Sequence, residues 1–117
     1  MRIAHVAPLF ESVPPTSYGG TERVVSYLTE ALVEAGHEVT LFASGDSVTR
    51  AHLVACSPRA LRTDKDCVDH MAHHVRQLEL VFRHAHRFDL IHFHSDFPHF
   101  PLSRRAGVPH VTTLHGR

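Results

Sequence analysis

Residues 19–45 read GGTERVVSYLTEALVEAGHEVTLFASG, and their pattern changes period once, at Gly36. Before it, Val24, Val25, Leu28, Ala31, Leu32 and Ala35 recur at three-to-four spacing, the signature of one apolar helix face, with Thr21 placed as an N-cap and Gly36 as a C-terminal stop. After it, His37 to Ser44 is rich in Val, Thr, Leu and Phe and closes on Gly45-Asp46, which reads as a strand ended by a turn. Upstream, Arg2 to Ala7 alternates weakly and stops at Pro8, a short buried strand entering a proline-bearing loop. Strand, helix, strand is the βαβ unit of a parallel sheet.

Working outward, Ala51 to Ala55 is a candidate third strand, and the polar stretch beyond Ser57-Pro58 carries no periodicity. From Asp66 the residues Val68, Met71, Val75, Leu78, Phe82 and Ala85 mark one face of a long helix, leaving His70, His73, His74, Arg76 and Arg83 off that face. Residues 89–94, DLIHFH, read as a buried fourth strand. A short helix is expected around Leu102 to Ala106, limited by Pro98 and Pro101. Residues 108–114 supply a fifth strand. Alternating strands and helices predict an α/β, doubly wound parallel sheet, whose right-handed crossovers put helices on both faces. Ligands of such sheets lie outside the carboxyl ends of the strands, which directs attention to the loops after Ala7 and His94.

Composition narrows the partners. Twelve Lys plus Arg balance twelve Asp plus Glu in 117 residues, so no basic field exists to hold nucleic acid or an anionic membrane. No apolar run approaches the roughly 20 residues that span a bilayer, and the start is too short in apolar residues for a leader, so a cytoplasmic protein is expected. The two cysteines, Cys56 and Cys67, form no C-x-x-C pair and read as packing residues. Thirteen histidines are the oddity, and the net charge should climb steeply in mild acid.

Several residues carry possible chemistry. Gly19-Gly20 ahead of a helix offers bare backbone N–H groups to a phosphate, or is simply a turn that needs glycine; spacing alone leaves these even. The G-x-G-x-x-G fingerprint is missing, which disfavours a dinucleotide-binding dehydrogenase. His92 and His94 share one side of their strand, and Asp96 follows at its carboxyl end. His92, deeper in the strand, reads as a hydrogen-bonded core imidazole, whereas His94 and Asp96 at the rim read as ligand contacts. His115 and Gly116 occupy the equivalent place after the fifth strand, and binding or a plain turn fit them equally well. His70, His73 and His74 have helical spacing that suits zinc, but no H-E-x-x-H or cysteine partner accompanies them, so a solvated helix face is the better reading and no metal site is assigned.

Five segments taken in order, MRIAHVAP (1–8), YGGTERVV (18–25), LVEAGHEVTLFASGDS (32–47), FDLIHFHSD (88–96) and GVPHVTTLHG (107–116), resemble the amino-terminal portion of a retaining GT-B glycosyltransferase of family four. The resemblance implies a Rossmann-like sheet of about five strands in the order 3-2-1-4-5. It further implies sugar transfer from a nucleotide-sugar donor to an acceptor hydroxyl, with retention and without a metal or other cofactor. Gly19 and Gly20 match the loop that approaches the donor diphosphate, His115 and Gly116 match the segment that contacts the transferring sugar, and His115 is the expected catalytic residue. Tyr18, His94 and Asp96 match the acceptor side.

The resemblance also implies that residues 1–117 are part of the acceptor-side domain and that a donor-binding second domain lies outside them. The isolated chain is then expected to be inactive, and to self-associate through an uncovered sheet edge. Two other readings stay open: a stand-alone non-catalytic half-domain that binds a small phosphate or sugar ligand or a partner, and a histidine-rich metal-binding module.

Overall fold

Five short strands pair entirely in parallel, and their lateral order is β3-β2-β1-β4-β5. The computed structural model describes residues 1–116. In chain order the elements are β1 (Arg2–Val6), α1 (Gly20–Glu34), β2 (Glu38–Ser44), β3 (His52–Ser57), α2 (His70–Arg83), a 3-10 turn (Ala85–Arg87), β4 (Leu90–Phe93), α3 (Phe100–Ala106) and β5 (His110–Thr112). The order changes direction at β1, with β2 on one side and β4 on the other, so the loops after β1 and β4 leave the sheet side by side. That is the switch point at which an open parallel sheet forms its crevice.

Alternation along the strands divides the core between two faces. Ala4, Val6, Phe42, Ile91 and Phe93 pack with Leu78 and Val81 of α2, while Leu41 and Ala43 pack with Val25 of α1. Helices therefore cover both faces, as the doubly wound reading requires. Among the described residues no helix is long and apolar enough to cross a membrane. Cys56 is buried and Cys67 half-buried, and both are free thiols.

The boundaries differ from the sequence reading where local chemistry outweighs pattern. The N-cap of α1 is Gly19 and not Thr21, which lies inside the first turn. At the other end Gly36, with φ 93°, follows the cap residue Ala35; its N–H donates to the Val33 carbonyl and that of His37 to Leu32, the paired bonds of a Schellman stop. The third strand runs two residues further than expected, to Ser57, across a register irregularity at Ala43/Ser44.

The larger correction concerns α2. It begins at His70 behind the cap Asp69, whose carboxylate accepts from the Met71 N–H at 2.9 Å, and not at Asp66. Its inward face is His74, Gln77, Leu78 and Val81, whereas Val68, Met71 and Val75, expected to face inward, are exposed. Two polar side chains hold the inward positions because strand ends carry backbone groups that need partners. Gln77 Nε2 donates to the carbonyls of Ala7 (2.8 Å) and Phe42 (3.2 Å), and His74 Nε2 accepts from the Leu9 N–H (3.1 Å). With Nδ1 2.8 Å from the His70 carbonyl oxygen, His74 must be the neutral Nδ1–H tautomer, and burial lowers its pKa in the same sense.

Candidate active site

A cleft of about 400 Å³ opens at the carboxyl ends of β1 and β4. Tyr18, Gly19, Gly20, His94, Asp96, His115 and Gly116 all line it, so the fold brings every site residue read from the sequence to one place although they come from three separate segments. Phe10, Arg62, His70 and His74 complete the opposite wall.

The glycine loop is shaped from both sides. Gly19 has φ 145°, and a Cβ there would meet the Pro15 Cβ at 2.8 Å and Glu22 Oε1 at 3.1 Å, so only glycine fits without a shift in the loop. Around Gly20 a Cβ would meet nothing within 4 Å. The protein itself leaves that space open on the cleft side of the helix N-terminus, where first-turn N–H groups lack helical carbonyl partners and the helix dipole favours an anion. Glu22, in the same turn and 5% exposed, has its pKa raised first by burial, against the lowering effect of its backbone hydrogen bond.

Of a group of four neighbouring imidazoles, His94 and His115 line the cleft. His94 Nδ1 lies 2.9 Å from His115 Nε2, and His92 Nε2 lies 2.7 Å from Thr113 Oγ1. His5, fully buried on β1, stands opposite His92 in register and 5.2 Å from the His94 ring. Burial, reinforced by the neighbouring imidazoles His92, His5 and His115, pushes His94 down to about 2; burial and His92 push His5 down to about 4. These rings are neutral at pH 7. Only one of two facing nitrogens carries the proton, and a buried N–H without a partner is rarer than a buried lone pair without one. Because His94 Nε2 is buried and unpartnered, the favoured arrangement has His94 Nδ1–H donating to His115 Nε2, which places the remaining proton of His115 on Nδ1. Asp96, just beyond, has φ 61°, a conformation non-glycine residues seldom adopt and one that clusters at binding sites.

The wall opposite was not read from the sequence. The Arg62 guanidinium sits 5.8 Å from the centres of both the Phe10 and Tyr18 rings and pairs with the Glu11 carboxylate. The His70 and His74 rings each lie 5.0 Å from the Phe10 ring and tilted to it. Arg62 falls in the aperiodic stretch after Pro58, and Phe10 in the proline loop, where no spacing marks a site. Helical spacing alone suggests a solvated His74, whereas its burial and its bond to the Leu9 N–H place it inward.

Solved structures of like fold include a glycosyltransferase. AviGT4, described as a glycosyltransferase involved in avilamycin A biosynthesis, is 27% identical with a TM-score of 0.66, over 95% of this chain and 31% of its own. Sucrose-phosphate synthase from Thermosynechococcus elongatus is 21% identical with a TM-score of 0.64, over 98% of this chain and 33% of its own, a likeness of fold. The chain thus spans about a third of the length of each. No curated protein sequence matches it. The sequence profile of Glycosyltransferase Family 4 matches residues 18–117, which include both the glycine loop and the His94–His115 pair, and the chain belongs to that family.

Proposed function

We propose that this chain forms the acceptor-side half of an active site that transfers a sugar from a nucleotide-sugar donor to an acceptor hydroxyl, with retention and without a metal in the chemical step. The observation that carries the reading is the convergence of the glycine loop, the His94–His115 pair and Asp96 on one cleft at the switch point.

In the transfer, the bond between the anomeric carbon and the donor phosphate oxygen breaks while the acceptor oxygen bonds to that carbon on the same face. The acceptor proton leaves with the departing diphosphate. Negative charge grows on that diphosphate, and the open backbone at Gly20 with the α1 N-terminus would receive it, a stabilisation that strengthens toward the transition state. His115, its Nε2 occupied by His94, would donate from Nδ1 to a sugar oxygen and orient it; it is the catalytic residue of the reading, with Gly116 beside the sugar. Tyr18 and Asp96 would hold the acceptor against the His94 ring, whose Nδ1 is bonded to His115 and whose Nε2 is buried. The remainder of the donor site would come from outside these residues, so the chain by itself is expected to be inactive.

The test is a donor panel assayed on the protein encoded by the whole reading frame containing this chain, following nucleoside diphosphate release with and without sugar or phenolic acceptors. Acceptor-stimulated release with at least one donor is the expected result. Binding of nucleotide-sugar with no product across the panel would favour a non-catalytic binding domain and overturn the assignment.

A further inference from the structure

His5, His92 and His94 project from one face of two adjacent central strands, with His5 and His92 paired in register. Their ring centroids are 5.1 Å apart for His5–His92, 3.9 Å for His92–His94 and 5.2 Å for His5–His94. One ring nitrogen from each lies within 4.8 Å of the other two. Each ring also has a hydrogen-bond partner: His5 Nδ1 faces Thr29 Oγ1 at 3.4 Å, His92 Nε2 faces Thr113 Oγ1 at 2.7 Å, and His94 Nδ1 faces His115 Nε2 at 2.9 Å. The nitrogens left over at His5 and His94, both Nε2, are buried and make no hydrogen bond. Buried polar atoms are nearly always satisfied, and two orphans on neighbouring rings call for a shared partner.

The geometry points to a divalent transition-metal site of the zinc class, with His5, His92 and His94 as its three protein ligands. A cation satisfies both orphaned lone pairs at once, and imidazole is a favoured ligand for zinc and its neighbours. Thr29, Thr113 and His115 stand where outer partners fix the orientation of ligating histidines. A tetrahedral ion with bonds of about 2.0–2.1 Å holds its nitrogens roughly 3.4 Å apart, so loading requires the ligand nitrogens to converge from within 4.8 Å and the His92 and His94 rings, stacked 3.9 Å apart, to turn toward the ion. The site is distinct from the helical histidines His70, His73 and His74, whose spacing alone raises the question of zinc. It does not rest on the sugar-transfer reading.

The experiment strips the wild-type chain with a chelator and titrates it with Zn²⁺ by calorimetry and with Co²⁺ by visible absorption, alongside ¹⁵N NMR of the histidine rings. One equivalent per chain, tetrahedral Co²⁺ bands and ring-nitrogen shifts confined to His5, His92 and His94 are expected. His92→Ala, at a half-buried position, and His5→Gln should each weaken binding at least about tenfold, while a His70→Ala/His73→Ala double variant leaves it unchanged. No stoichiometric binding, or binding that survives His92→Ala and is lost in the helical variant, overturns the site. Should His5→Gln fail to fold, His92→Ala and the wild-type ring shifts still decide.

Discussion

His94 and His115, 21 residues apart in the chain and on different strand ends, meet through a single imidazole–imidazole hydrogen bond of 2.9 Å. The bond ties the loop after β4 to the segment after β5 and fixes which His115 nitrogen faces the cleft. A coupling between the two side chains should follow. In urea unfolding of this chain, a double-mutant cycle of His94→Ala and His115→Ala should give an interaction energy of about 0.5–1.5 kcal/mol. Strict additivity would mean that the bond does not form in solution.

The two glycines of the loop should separate structure from binding. Gly19→Ala places a Cβ 2.8 Å from Pro15 in a left-handed backbone, and should destabilise the chain by about 1–3 kcal/mol. Gly20→Ala meets open space at the first helical position and should leave the urea midpoint unchanged or raise it. In calorimetric titrations with a nucleoside diphosphate, however, Gly20→Ala should bind more weakly than wild type. Equal binding by the two would remove Gly20 from the anion site.

His74 anchors the loop that carries Phe10. Replacing it with Ala leaves the Leu9 N–H without its partner, and should cost about 1–3 kcal/mol in urea unfolding. His73→Ala, one position away and half-buried, is expected to stay within about 0.5 kcal/mol. Comparable losses in the two variants would contradict the inward placement of His74.

Acid should destabilise the chelator-treated chain earlier than carboxylates alone would. His5 and His99 are pushed down to about 4, and His94 to about 2, by burial first and then by neighbouring imidazoles, which for His99 means His110. Folded values below the unfolded 6.5 mean that the unfolded chain binds more protons as pH falls. The stability from these neutral rings is complete above about pH 6.5 and is lost as pH falls through the folded values. Glu22, whose pKa is raised, acts in the opposite sense, adding stability below its unfolded value and losing it as pH rises through the folded one. The three histidines act together in the higher window, so the urea midpoint should fall between pH 7 and pH 5. A flat profile would show that the rings are not buried neutral.

The parallel sheet and its order were legible because β1, β2 and β4 carry apolar residues and α1 has a clean 3.6-residue period ended by Gly36. The residues of one cleft wall were legible too, since Gly19, His94 and His115 sit at strand ends or helix starts, where topology makes position informative. The facing wall was not. Arg62 and Phe10 lie in loops whose course depends on side-chain bonds to Glu11 and on the loop anchored by His74, and a pattern of apolar spacing contains nothing of either. The inward face of α2 was misread for a related reason: hydrophobic periodicity weighs Met71 and Val75 above His74 and Gln77, while the strand ends beneath them required hydrogen-bonding groups.

The central claim, that this cleft performs sugar transfer with His115 holding the transferring sugar, is tested most directly by the steady-state kinetics of His115→Ala in the protein encoded by the whole reading frame. A fall in kcat/KM of tenfold or more, about 1.4 kcal/mol of lost transition-state binding, is the expected result. A kcat/KM within about twofold of wild type would contradict it.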